Sequence, residues 1–187
     1  DLVEGDAIIG EGYEVRPFEV EHGVNAFGFV FEEETKTKAN KEKMEELGIG
    51  STPKIGDLKK GKEIEWEGET IKPEQIVQKV PGRKVVYSGD TAKCQNLIEN
   101  ARNADLLIHE ATCLHEMIED RHGHTSAKQA GEIAKEAGVE KLVLTHLSRR
   151  YRGDGAKEIE EEAKEIFENT VLGEDGKRFE IKPHRPE

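Results

Sequence analysis

The chain has 187 residues, enough to bury a core and suited to one domain or most of one, with little room for a second. A formal net charge of −12 argues against a general nucleic-acid binder, because phosphate contacts draw on Lys and Arg, and leaves only a local basic patch open. Two cysteines, Cys94 and Cys113, lie outside any Cys-x-x-Cys pair, which excludes a disulfide framework and fits a reducing, cytoplasmic setting. The sequence shows no secretory signal or membrane-spanning run, so no membrane partner is expected.

With 36% charged and 34% apolar residues the exterior is heavily charged, yet the apolar patterning is too regular for disorder. The abundance of Lys and Glu, with little Met or Cys, follows the trend of thermophile proteins. From Ala7 to Glu33, alternating apolar and polar residues broken by glycines predict short β-strands and turns. Lys36 to Leu47 reads as a charged helix closed by Gly48, and Gly50 to Gly56 as a loop. A strand at Ile64–Trp66 turns at Glu67-Gly68, and Pro73 opens a short segment leading to the Pro81-Gly82 turn and a strand ending at Asp90. Asn96 to Ala101 reads as a helix before the strand that ends at His109. Thr125 or Ser126 can cap a helix whose small face, Ala127, Ala130, Ile133, Ala134 and Ala137, runs to a stop at Gly138. A last helix, Ala156 to Phe167, turns Ile159, Ala163, Ile166 and Phe167 inward, and a strand is expected over Arg178 to Ile181.

Four strand-like segments deliver His22, Asp90, Glu110 and His146 just past their ends. Singly, each has a bland reading: Asp90 closes a turn or caps a helix, and His22 and His146 are structural imidazoles. Open α/β sheets, however, gather ligands beyond the carboxyl ends of their strands, so these groups converge on one pocket suited to a metal. Glu110 is either a surface glutamate or the carboxylate that orients a histidine and sets its tautomer. His124, beside a helix start, reads as an acid–base group or a loop residue. His122 could pair with it on a metal, His115 is a weaker candidate, and His184 is expected at the surface. Arg149, Arg150 and Tyr151, following His146, suit a phosphate-bearing substrate or else form a basic turn against the acidic last helix.

Together, Val20-Glu21-His22-Gly23-Val24-Asn25-Ala26-Phe27-Gly28-Phe29, Ser88-Gly89-Asp90-Thr91, His109-Glu110-Ala111-Thr112, Gly123-His124-Thr125-Ser126-Ala127 and Thr145-His146-Leu147-Ser148-Arg149-Arg150-Tyr151 resemble ribonuclease Z, the tRNA 3′-processing endoribonuclease of the metallo-β-lactamase fold. The resemblance covers nearly the whole chain in the family's order and extends to Pro53–Gly61. It implies an α/β fold, the four-layer αββα sandwich, of which residues 1–187 give the C-terminal portion. It also implies two zinc ions, with His22 a ligand of one, Asp90 bridging, and His146 a ligand of the other. It further implies Glu110 and His124 as a pair in which the histidine protonates the leaving oxygen, and precursor tRNA cut by a homodimer, with Arg149, Arg150 and Tyr151 as the candidate substrate-binding residues.

One departure is large. The family's His-x-His-x-Asp-His motif, which supplies most remaining ligands and the general base, belongs upstream of His22, and the chain contains no such sequence. The opening Asp1-Leu2-Val3 reads as the middle of a longer protein, so this piece alone is expected to bind metal weakly and to be inactive. Two rival functions are a small-nucleotide phosphodiesterase of the same fold and a non-catalytic interaction subunit.

Overall fold

The computed structural model describes Val3, residues 5–120 and residues 122–186. The chain begins with three antiparallel strands, β1 (Ile8–Gly10), β2 (Tyr13–Val20) and β3 (Ala26–Glu33). It then leaves for a smaller unit, formed by β4 (Lys36–Ala39), α1 (Lys41–Glu46), α2 (Ile55–Lys59), β5 (Ile64–Trp66), β6 (Glu69–Ile71), α3 (Pro73–Ile76) and β7 (Val77–Val80). Back in the first unit follow β8 (Lys84–Tyr87), α4 (Gln95–Ala101), β9 (Leu106–Glu110), a 3-10 turn at His115–Asp120, α5 (Ala127–Ala137), β10 (Leu142–Thr145), α6 (Asp154–Lys164) and β11 (Thr170–Leu172). The two compact units are the residues up to Glu33 with Arg83–Ile181, and residues 34–82 with the C-terminal tail.

The larger unit is one seven-stranded sheet, ordered β1-β2-β3-β8-β9-β10-β11. Its first half is antiparallel; from β8 onward the strands run parallel. That half is where the sequence alternates strand with helix, since parallel neighbours need a crossover. Helices α4, α5 and α6 pack on one face. Their small and branched residues, Leu97, Ala130, Ile133, Ala134 and Ile159 among them, close a core over Phe18, Val30, Val86, Leu107, Leu142 and Leu144 of the sheet. Ser126 rather than Thr125 caps α5: its hydroxyl accepts from Gln129 N and the Gln129 side chain returns the bond, while Gly138 ends the helix in the left-handed region.

On the opposite face of the sheet the register aligns a second apolar set. Pro17, Phe29, Tyr87, Ile108, Val143 and Val171 stand in one row, and Ile8, Val15, Phe31, Val85 and Leu106 in the next. Leu106 and Val143 are buried, but Ile8 is 59% exposed and Tyr87 44%.

The smaller unit packs Ile49, Leu58, Ile64, Ile71 and Ile76 into a core of its own, which is why residues 34–82 cluster apart. Here the expected helix over 36–47 is a strand followed by a helix. Lys36 to Ala39 pair with β7, and Asn40 then starts α1 by accepting from Glu42 N and Lys43 N. The expected loop over 50–56 ends in the first residues of α2. In the larger unit, the strand expected at 178–181 does not form; the edge of β10 is taken by Thr170–Leu172, directly after the last helix.

Candidate active site

The parallel strands set the site. His22 lies in the β2–β3 turn and Asp90 three residues past β8. Glu110 is the last residue of β9 rather than beyond its end, and His146 comes immediately after β10. The loop between the 3-10 turn and α5 adds His124. These side chains meet. The His22 and His124 ring centroids are 5.0 Å apart, the His124 and His146 rings stack at 5.4 Å and 23°, and His146 Nε2 is 3.4 Å from Asp90 Oδ2.

Glu110 is the buried centre of the cluster, 1% exposed. Its Oε1 accepts from Thr91 N at 2.7 Å and His124 Nδ1 at 2.8 Å; its Oε2 accepts from the Thr112 hydroxyl at 2.7 Å and Thr125 N at 3.2 Å. By distance alone Glu110, His124 and His146 could share a cation, since their donor atoms lie within 4.8 Å of one another. Hydrogen bonding separates them. All four lone-pair positions of Glu110 are occupied by donors, so its carboxylate orients His124 rather than facing a metal.

His22 has the opposite arrangement. Its Nδ1 is 2.7 Å from the Gly123 carbonyl, which only accepts, so Nδ1 carries the hydrogen and Nε2 is left with a free lone pair. A histidine that ligates a metal commonly gives its other N–H to a backbone carbonyl in this way. Gly123 has φ +79°, and a Cβ there would lie 2.9 Å from His22 Nδ1, so the close approach requires glycine. Asp90 is partly exposed and His146 exposed, and imidazole and carboxylate are donor types that suit zinc; His22, Asp90 and His146 are not, however, among the described groups whose donor atoms all lie within 4.8 Å of one another.

Around this core lie supporting groups whose roles the sequence left unassigned. Thr91, Thr112 and Thr125 hold Glu110 through two backbone N–H groups and one hydroxyl, and the Thr125 hydroxyl donates to Thr91 O. Their signal was present in the Asp-Thr, Glu-Ala-Thr and His-Thr pairs, but nothing in a threonine announces which carboxylate it serves. His109, fully buried on β9, donates Nδ1–H to the Glu110 carbonyl, and its Nε2 has no hydrogen-bond partner among the described residues. Burial pushes its pKa below the ordinary histidine value, against the weaker upward pull of that hydrogen bond and of the Glu110 carboxylate.

The remaining candidates sit at the margin. Arg149 and Arg150 are exposed on the turn after His146, and neither enters an ion pair among the described residues. Tyr151 is half buried, packs on the core, and accepts from Leu114 N at 3.3 Å through its hydroxyl. His115 Nδ1 lies 3.0 Å from Ser126 Oγ. His122 lines a cavity of about 650 Å³, together with His22, Asn25, Phe27 and Gly123. His184, in the smaller unit, is partly exposed. Both cysteines are buried, and neither forms a disulfide among the described residues.

Residues 73–147 match the model of the beta-lactamase superfamily domain. The chain is 42% identical to the ribonuclease Z of Archaeoglobus fulgidus over 97% of its own length and 60% of that protein's. It is 41% identical to the ribonuclease Z of Methanosarcina acetivorans over 100% and 62%. The chain is a homologue of ribonuclease Z. It spans about 60% of the length of the ribonuclease Z sequences it matches. Its fold is that of the metallo-β-lactamases: the metallo-beta-lactamase fold protein YhfI of Bacillus subtilis superposes with a TM-score of 0.58 at 20% identity, over 92% of this chain and 51% of that one. Among the described residues no helix is long and apolar enough to cross a membrane.

Proposed function

We propose that the protein of which this chain is part is a zinc-dependent endoribonuclease that removes the 3′ trailer from precursor tRNA. It would act in the cytoplasm as a homodimer, as the kinship with ribonuclease Z implies. The observation that carries the reading is the pairing of His124 with the buried Glu110 directly beside His146 and Asp90. His22, Asp90 and His146 would hold zinc, which when bound supplies positive charge at the phosphate and lowers the pKa of an attacking water. Three donors fall short of two four-coordinate ions, so the reading calls for further ligands beyond these three. The apolar sheet face that carries Phe29, Tyr87 and Ile108 supports a second sheet of the αββα sandwich stacked there.

Within this chain, the proton steps fall to His124. Its Nδ1–H is committed to Glu110, so Nε2 is the atom that carries a proton to the departing 3′ oxygen, and the carboxylate behind it fixes the ring's orientation. Arg149 and Arg150, exposed just past His146, can meet phosphate oxygens flanking the cut.

The test is cleavage of a precursor tRNA carrying a 3′ trailer, set against a small synthetic phosphodiester, by the full-length protein and its Asp90→Ala variant. Release of tRNA with a 3′ hydroxyl, lost in the variant while its circular dichroism spectrum is kept, is expected. Near-normal turnover by the variant would refute the ligand assignment, and selective hydrolysis of the small ester would refute the substrate.

A further inference from the structure

Thr112 follows β9 by two residues and is buried, with its hydroxyl at the point where the acid–base pair and the metal-facing pair meet. A hydroxyl has one hydrogen to give and two lone pairs. Four atoms lie within reach of Thr112 Oγ1: Glu110 Oε2 at 2.7 Å, His146 Nδ1 at 3.2 Å, the His146 carbonyl at 3.3 Å and His124 Nδ1 at 3.4 Å. The hydrogen goes to the nearest and charged acceptor, Glu110, which leaves none for the His146 carbonyl. What remains on Oγ1 is an acceptor, and an imidazole nitrogen can bond to it only by donating. His124 Nδ1 has a closer acceptor in Glu110 Oε1 at 2.8 Å. His146 Nδ1 has none closer among the described residues.

We propose that Thr112 is a positioning residue for His146, relaying the Glu110 carboxylate to it through the chain His146 Nδ1–H to Thr112 Oγ–H to Glu110 Oε2. One buried carboxylate thus sets the tautomer of two imidazoles, His124 directly and His146 through a hydroxyl. Each Nε2 is left with the lone pair, and that of His146 lies 3.4 Å from Asp90 Oδ2. The backbone holds the relay from both sides: Thr112 N donates to Thr125 O beside His124, and Ser148 N donates to Thr112 O beyond His146. The inference rests on the nuclease reading only for what the two imidazoles do, not for how Thr112 holds them.

The experiment is two-bond 1H–15N spectroscopy of the imidazoles in the metal-free full-length protein in mildly alkaline buffer, combined with zinc titration. His146 is expected in the Nδ1–H tautomer in the parent and in Thr112→Ser. In Thr112→Val it should lose that state, and zinc affinity should fall by about 10–100-fold, as when a partner of a metal-ligating histidine is removed. An Nε2–H tautomer for His146 in the parent overturns the proposal even if Thr112→Val does not fold. So does a valine variant that keeps both the tautomer and the affinity, or a serine variant that fails as the valine one does, since the methyl group and not the hydroxyl would then matter. A protein that leaves precursor tRNA intact while His146 keeps its Nδ1–H would sink the nuclease reading and leave this one standing.

Discussion

Changing Glu110 to Gln removes one charge and exchanges one acceptor for a donor in a place with no room for either. Each Glu110 oxygen faces one donor that cannot be turned, the Thr91 N–H on Oε1 and the Thr125 N–H on Oε2. Thr112 can rotate its hydroxyl and His124 can change tautomer, but a backbone N–H cannot, so either orientation of the glutamine sets its NH₂ against an N–H. Two buried donors are then unsatisfied, at about 1–3 kcal/mol each. With partial relaxation the expected loss is about 3 kcal/mol, or roughly 6–12 °C in melting temperature for a chain of this size. The assay is urea unfolding of the metal-free protein followed by far-ultraviolet circular dichroism, with an unchanged m-value as the sign that only stability moved. A loss below about 0.5 kcal/mol, the range of an ordinary surface substitution, would refute the hydrogen-bond saturation of Glu110. Were Glu110 instead a cation ligand, removing its charge from the metal-free protein would relieve repulsion and stabilise it.

Two further perturbations probe the imidazoles. Gly123→Ala places a side chain at φ +79°, with its Cβ 2.9 Å from His22 Nδ1 and 3.2 Å from Gly23 N. The backbone penalty alone is about 1–2 kcal/mol, and zinc titration should show weakened binding as His22 is displaced; unaltered binding would place His22 outside the metal set. His109 supplies a pH signature. Burial holds its folded pKa below the ordinary histidine value of about 6.5, so the unfolded chain takes up a proton that the folded one refuses. Its contribution to stability is complete above pH 6.5 and declines as pH falls below it, by up to about 1.4 kcal/mol per pH unit until the folded pKa is reached. In His109→Asn this acid limb should flatten, whereas parallel pH profiles for the two proteins would show that other groups govern it.

The parallel half of the sheet was legible because its alternation of apolar runs and capped amphipathic helices is local. The small-residue face of α5, the Ser126 capping box and the Gly138 stop are all written within a dozen residues. The segments misread were those where pairing decides. Lys36 to Ala39 has no strand signature of its own and becomes a strand only against β7, while Thr170 to Leu172 is too short to announce itself and is selected by the free edge of β10. At the site, the convergence of His22, His124, His146 and Asp90 could be foreseen from strand-end placement and from family likeness. The family likeness also implied a division of labour among them, but the hydrogen bonds that hold it, above all the three threonines on Glu110, were not legible, because they depend on which lone pairs are already taken.

Backbone strain gives an independent measure of that division. Three non-glycine residues among those described have positive φ, and two of them have local reasons. Glu67 sits with Gly68 in the two-residue turn between β5 and β6, where such angles are the favoured geometry, and Asn103 belongs to the residue type that tolerates the left-handed region best. His146, of a residue type also enriched in that region, lies outside any such hairpin turn. At φ +53° it turns the chain sharply the moment β10 ends, at a cost on the order of 1 kcal/mol, and the turn is held by Ser148 N donating to Thr112 O. Without that reversal the chain would continue along the strand past Thr145, and the imidazole would not reach both Thr112 and Asp90. The turn thereby sets His146 Nε2 3.4 Å from Asp90 Oδ2, joining the end of β10 to the loop after β8.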